Sequence, residues 1–92
     1  MSLDISAEQR EQIRLSLLRY GLGSFTIALA HQYLGSEGFR GITKREVQAE
    51  VNYLADAEKG LLRQNDKLIS PEVATYSTTS KGRDFLAQEG VT

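Results

Sequence analysis

The sequence predicts an α+β domain in which three helices precede a β-hairpin and a short last helix. Three observations support this prediction. Apolar residues recur at helical spacing before Gly60, the composition becomes strand-like after it, and a helical pattern returns after Ser80. The chain has 92 residues, which suits one domain over residues 1–92 and not two.

The first two helices are predicted over residues 7–20 and 24–34. Ser6 is a suitable N-cap for the first helix, and Gly21 and Gly23 supply its stop.

Both of these helices carry apolar residues on two faces, which one core stripe does not require. Leaving several large apolar side chains exposed on a small domain is unfavourable. We therefore predict a homodimer whose contact includes Phe25, Leu29 and Tyr33. The alternative is that the last helix covers this surface within one chain, through Phe85 and Leu86.

The third helix is predicted over residues 43–59. Thr43 and Glu46 match a capping box, in which each side chain satisfies a backbone N–H of the first turn. Gly60 is the expected stop. The core-facing stripe consists of Val47, Val51, Leu54 and Ala55.

The hairpin is predicted over residues 61–79, with strands at 61–70 and 73–79. Ser80 is expected to cap a last helix over residues 80–89. Three helices followed by a β-hairpin form the winged helix-turn-helix arrangement. Its third helix enters the DNA major groove, and its hairpin, the wing, contacts the backbone or the minor groove.

One stretch, "YLADAEKGLL…ATYSTTSKGRDFL", resembles the second half of many bacterial and phage winged-helix proteins. In those proteins Gly-Leu-Leu opens the first wing strand, as Gly60-Leu61-Leu62 does here. Their second strand ends in a pattern like Tyr-x-Leu-Thr-x-x-Gly, which is approximated by Tyr76, Thr78, Thr79, Lys81 and Gly82.

Across about residues 7 to 90 the spacing is most similar to small winged-helix proteins of Mu-like phages and prophages. The chain departs from the pattern at Ser77-Thr78, where Leu-Thr is common, and in a longer segment after Arg63. The resemblance implies a DNA-binding transcriptional regulator of phage type.

The basic residues around the start of the third helix favour double-stranded DNA as the partner. Lys44 and Arg45 occupy the first helical turn, where the helix macrodipole mildly disfavours cations. A phosphate partner would explain that placement, since Arg, Lys, Gln and Asn bind phosphates and base edges. The predicted DNA-binding residues are Arg40, Thr43, Lys44, Arg45, Gln48, Asn52, Arg63 and Lys67.

The alternative is a winged-helix module that binds another protein through its apolar second helix. The formal net charge of −1 gives no global attraction to DNA. Glu46, Glu50 and Asp56 would repel DNA if they faced it, although a solvated helix face explains Glu46 and Glu50 adequately.

No motif in the sequence indicates catalysis or a cofactor. His31 is the single histidine, and one imidazole without partner ligands does not make a metal site, so we interpret it as a partly buried helix residue. There are no cysteines, the N-terminus lacks the pattern of a signal peptide, and no apolar run suits a membrane span. A cytoplasmic location is expected.

Overall fold

The computed structural model of the protein describes residues 6–66, 69–70 and 73–90. Within these ranges the chain forms four helices and one antiparallel hairpin, which confirms the predicted α+β class. The elements in chain order are α1 (Ala7–Tyr20), α2 (Ile27–Ser36), α3 (Lys44–Ala55), β1 (Leu62–Gln64), β2 (Tyr76–Thr78) and α4 (Ser80–Gln88). None of the helices in the described ranges is long and apolar enough to cross a membrane.

Capping side chains begin α1 and α3 as predicted. Ser6 Oγ accepts a hydrogen bond from the backbone N–H of Gln9, and Gln9 Oε1 accepts one from the backbone N–H of Ser6. Thr43 and Glu46 form the same reciprocal pair, with Glu46 Oε1 accepting from the Thr43 backbone N–H at 2.9 Å. These contacts satisfy N–H groups that have no partner inside the helix.

α2 and α3 differ from their predicted bounds, and the backbone explains both differences. Ser24 has a left-handed φ of +69°, so α2 cannot start there and begins instead after its N-cap Thr26. α3 ends at Ala55 because Asp56 turns to an extended conformation with ψ of 142°. A further turn lies between the end of α3 and Gly60, and Gly60 has a φ of +58°.

The start of α4 also differs from the prediction. The N-cap is Thr79, whose Oγ1 accepts the backbone N–H of Gly82 at 3.1 Å, and Ser80 is the first helical residue. The Thr79 hydroxyl also bonds the carbonyls of Gly60 and Leu61 at the base of the hairpin. Thr79 therefore ties the start of α4 to the start of β1.

Among the described residues the strands are shorter than predicted, and positions 67–68 and 71–72, which the prediction includes or borders, lie outside the described residues. Leu62 lies opposite Thr78 and Gln64 opposite Tyr76. Phe25, between α1 and α2, exchanges two backbone hydrogen bonds with Tyr76 and so extends the other edge of β2. The inner face of the hairpin carries buried Leu62, Tyr76 and Thr78, and Arg63 and Ser77 alternate with them on the outer face.

The core joins all of these elements around α1 and α3. Its largest fully buried side chains are Tyr76, Phe25, Ile13, Leu17, Leu18, Leu34, Leu54, Leu62, Val47 and Val51. Two glycines allow close approaches at its border. A Cβ at Gly21 would lie 2.3 Å from Thr78 Oγ1, and a Cβ at Gly82 would lie 2.4 Å from the Leu61 carbonyl oxygen.

Candidate nucleic-acid interface

An open groove runs between the start of α2 and the outward side of α3. Its volume is about 560 Å³, and its lining residues are Ile27, Ala28, Lys44, Arg45, Gln48, Ala49 and Asn52. The lining from α3 follows from helical geometry: Val47, Val51 and Leu54 turn toward the core, which leaves positions 44, 45, 48 and 52 on the other side. The structure thus brings four of the predicted DNA-binding residues together on one surface.

The two cations of this groove are exposed at the first turn of α3. Neither Lys44 nor Arg45 forms an ion pair with a residue in the described ranges. Thr43 and Glu46 supply the cap of the helix, so these cations are not needed for its stability. Their charge is available to an anionic partner.

Gln48 and Asn52 form a connected pair in the middle of the groove. The Gln48 Nε2 group donates to Asn52 Oδ1 at 2.9 Å and to the Tyr76 hydroxyl at 3.3 Å. Gln48 Oε1 is buried and has no hydrogen-bond partner within the described chain. Asn52 is exposed. Tyr76 of the hairpin thereby holds Gln48, which is half-buried, and Asn52 is the more exposed amide of the pair.

The acidic residues of the α3 region turn away from the groove. Glu50 is only 8% exposed and accepts from Arg14 Nε of α1 at 2.6 Å, with Arg10 Nε at 3.6 Å. This corrects the expectation of a solvated Glu46 and Glu50 face. Glu46 is committed to the cap, and Asp56 Oδ1 accepts the Glu58 backbone N–H. The expected repulsion of DNA by these carboxylates is therefore reduced.

The remaining predicted DNA contacts do not join this groove. Thr43 is the N-cap of α3, and Arg40 is exposed in the preceding loop. Arg63 lies on the outer face of the hairpin and lines a different groove, together with Lys81 and Arg83. Lys67 lies outside the described residues.

Of the three residues in the predicted dimer contact, the fold buries one and leaves two exposed. Phe25 is 1% exposed and stacks on the Tyr76 ring at a centroid distance of 5.8 Å, so its side chain belongs to the core of its own chain. Leu29 and Tyr33 are 40% and 43% exposed on α2. The apolar surface that remains for a partner is thus smaller than the sequence suggested.

His31 is half-buried on α2, and its Nε2 lies 2.8 Å from the Ile42 carbonyl oxygen. That contact joins α2 to the loop before α3. Within the part of the chain that the structure describes, no group of three His, Asp or Glu residues is placed to hold a metal ion.

Sequence reasoning missed four contributors to the groove: Ile27, Ala28 and Ala49, which line it, and Tyr76, which contacts Gln48. Ile27 and Ala28 line it because Thr26 delays the start of α2. Tyr76 reaches Gln48 from the hairpin, and alternation in the strand predicts only that its side chain points inward. No local signal links the two residues, because they are 28 positions apart.

No family model matches this chain, and neither do any curated proteins or solved structures.

Proposed function

We propose that the protein is a winged-helix protein that binds double-stranded DNA through the groove of α2 and α3 and regulates transcription. One observation supports this most directly. Lys44, Arg45, Gln48 and Asn52 share a surface that no described carboxylate lines. The role in transcription and the phage setting rest on the sequence resemblance, which lies in the stretch from Tyr53 to Leu86 and in the spacing over about residues 7 to 90.

The groove residues suit two separate tasks in DNA recognition. Lys44 and Arg45, exposed and unpaired, have the charge and reach to contact phosphates, which position a protein without reading sequence. Asn52 presents a carboxamide of the kind that reads base edges in the major groove. Gln48, held by Tyr76 and Asn52, acts mainly by orienting its neighbour.

A second candidate function is a protein-interaction module that docks through α2. Leu29 and Tyr33 are exposed apolar residues on that helix, and the net charge of −1 provides no general attraction to DNA. A homodimer formed by the same two residues is compatible with either function, since a two-fold pair would also present two copies of α3.

Selection of duplexes from a random-sequence pool at low salt tests the proposed function. We expect an enriched motif, and we expect Asn52→Ala to relax the preference at one or two base pairs, by about 1–3 kcal/mol per lost base contact. Exposed Gln32, on α2 and outside the groove, offers the matched control Gln32→Ala. Failure to bind any duplex at low salt would contradict DNA binding and favour the protein-interaction module.

A further inference from the structure

A second, more strongly basic groove lies where β1 meets the start of α4. Its volume is about 470 Å³, and its lining residues are Gly60, Arg63, Thr78, Thr79, Ser80, Lys81 and Arg83. Three of these are cationic and none is acidic. We call this surface the β1–α4 groove.

The contacts around Thr79 and Gly82 fix the shape of the β1–α4 groove. Thr79 bonds the backbone at Gly60 and Leu61, and Gly82 lets the helix approach the Leu61 carbonyl more closely than any side chain would permit. Lys81 Nζ donates to the Glu58 carbonyl oxygen at 3.3 Å, which holds the ammonium beside the hairpin base. The strand and the helix therefore bring their cations to one groove, and a hydrogen bond holds the Lys81 ammonium there.

The β1–α4 groove is distinct from the groove of α2 and α3. The two share no lining residue. Tyr76, on the inner face of the hairpin, contacts Gln48 of α3, whereas Arg63 alternates to the outer face. The two basic surfaces are therefore lined by different residues.

The charges of the β1–α4 groove are uncompensated within the described chain. Arg63, Lys81 and Arg83 form no ion pair with a described residue, although the chain as a whole carries a net charge of −1. Asp84, the next residue along α4, does not line the groove. Grouping like charges is unfavourable unless an anion occupies the space between them.

We propose that the β1–α4 groove binds a phosphate group. Two guanidinium groups and an ammonium match a tetrahedral oxyanion, because its several oxygens accept charge-assisted bonds from more than one cation. The groove is larger than one phosphate group, so it can also admit a phosphate that belongs to a larger molecule, either a free phosphate ester or a nucleic-acid backbone. This inference does not depend on DNA binding by α3.

Titration with inorganic phosphate tests the inference, with chloride at matched ionic strength as the reference. Backbone amide signals from Ser80 to Arg83 report on the groove. We expect saturable changes in these signals with phosphate alone. Arg63→Gln with Arg83→Gln removes two exposed charge contacts and weakens the apparent affinity about tenfold. Both residues are exposed, and an unchanged melting temperature verifies that the variant folds.

The matched control is Lys44→Gln with Arg45→Gln, which removes the same charge from the other groove and leaves the titration unchanged. Equal responses to phosphate and chloride, or an Arg63/Arg83 variant that titrates like the wild type, would overturn the proposal. Titrations with glycerol phosphate, a monoester, and dimethyl phosphate, a diester, then distinguish a free phosphate ester from a nucleic-acid backbone. Preference for the monoester indicates a free phosphate ester, and equal binding of the diester indicates a nucleic-acid backbone.

Discussion

At the scale of single residues, glycines restrict which side chains the packing tolerates. A Cβ at Gly21 or Gly82 would collide with neighbouring atoms. Gly82 lies in the first turn of α4, where alanine has the better helix propensity. Its missing Cβ nevertheless lets the helix touch the hairpin base, with backbone atoms of Leu61 on the other side. Backbone atoms cannot move aside as a flexible side chain can, so packing outweighs propensity at this position.

We expect Gly82→Ala to lower the free energy of unfolding by about 1–3 kcal/mol, the usual cost of forcing extra volume into a packed site. Gly23→Ala is the matched control, because a Cβ there meets no atom within 4 Å. Chemical denaturation of both variants measures the difference. Equal stabilities would mean that α4 can move away from the hairpin at no cost.

Glu50 illustrates what the sequence cannot predict about single residues. Its spacing from Glu46 suggests a solvated helix face, and its partner Arg14 lies 36 positions away on α1. Only the packing of α1 against α3 brings the two together. By contrast, the pairs Ser6 with Gln9 and Thr43 with Glu46 are three residues apart, so their bonds follow from local helix geometry and were predictable.

At the scale of elements, the type and order of helices and strands were predictable and several boundaries were not. Helical and strand periods are local properties, so the change after Gly60 marks the hairpin correctly. Boundaries depend on which of several candidate polar residues adopts the cap conformation. Ser24 was the predicted first residue of α2 and Ser80 the predicted cap of α4, but Thr26 and Thr79 have the extended backbone and the bonded side chains.

The explanation of helix boundaries by their cap residues can be tested at the start of α4. Thr79→Ala removes a bond to the Gly82 N–H and the hydroxyl contacts with the hairpin base, so we expect a loss of about 1–2 kcal/mol in stability. Ser80→Ala, one position later, removes a hydroxyl that makes no capping bond and should change stability by less than about 0.5 kcal/mol. Thermal and urea unfolding measure both. A larger loss of stability for Ser80→Ala than for Thr79→Ala would assign the cap to Ser80.

At the scale of the whole molecule, the fold forms two basic grooves that share no lining residue and leaves Leu29 and Tyr33 exposed on α2. Sequence reasoning located the first groove through four of its α3 residues, because helical spacing fixes which positions share a side. It predicted Arg63 as a separate contact from the hairpin, but it did not predict that Arg63 shares the β1–α4 groove with Lys81 and Arg83 of α4. Such long-range placement has no signal in a single sequence.

Self-association through α2 belongs to this scale as well. Exposed Leu29 and Tyr33 would be covered by the same residues of a second copy around a two-fold axis. We expect a dimer mass at micromolar concentration by sedimentation equilibrium, and a monomer mass for Leu29→Glu. Val73→Glu changes an exposed apolar residue that is not part of α2, and this variant should remain dimeric. A monomer mass for the wild type would contradict the predicted homodimer.

The central claim is that α3 presents Lys44 and Arg45 to DNA phosphates, and the salt dependence of duplex binding tests it most directly. Each phosphate contact contributes about 0.9 to the slope of log affinity against log salt. Lys44→Gln with Arg45→Gln should therefore flatten the slope by about 1.8 if each cation meets one phosphate. The charge-matched control is Arg19→Gln with Lys59→Gln: neither residue lines the groove, and the one ion pair among the described residues that is lost, Arg19 with Glu37, lies at the surface, so the control should retain the wild-type slope. Identical slopes for the wild type and the Lys44/Arg45 variant would contradict the claim.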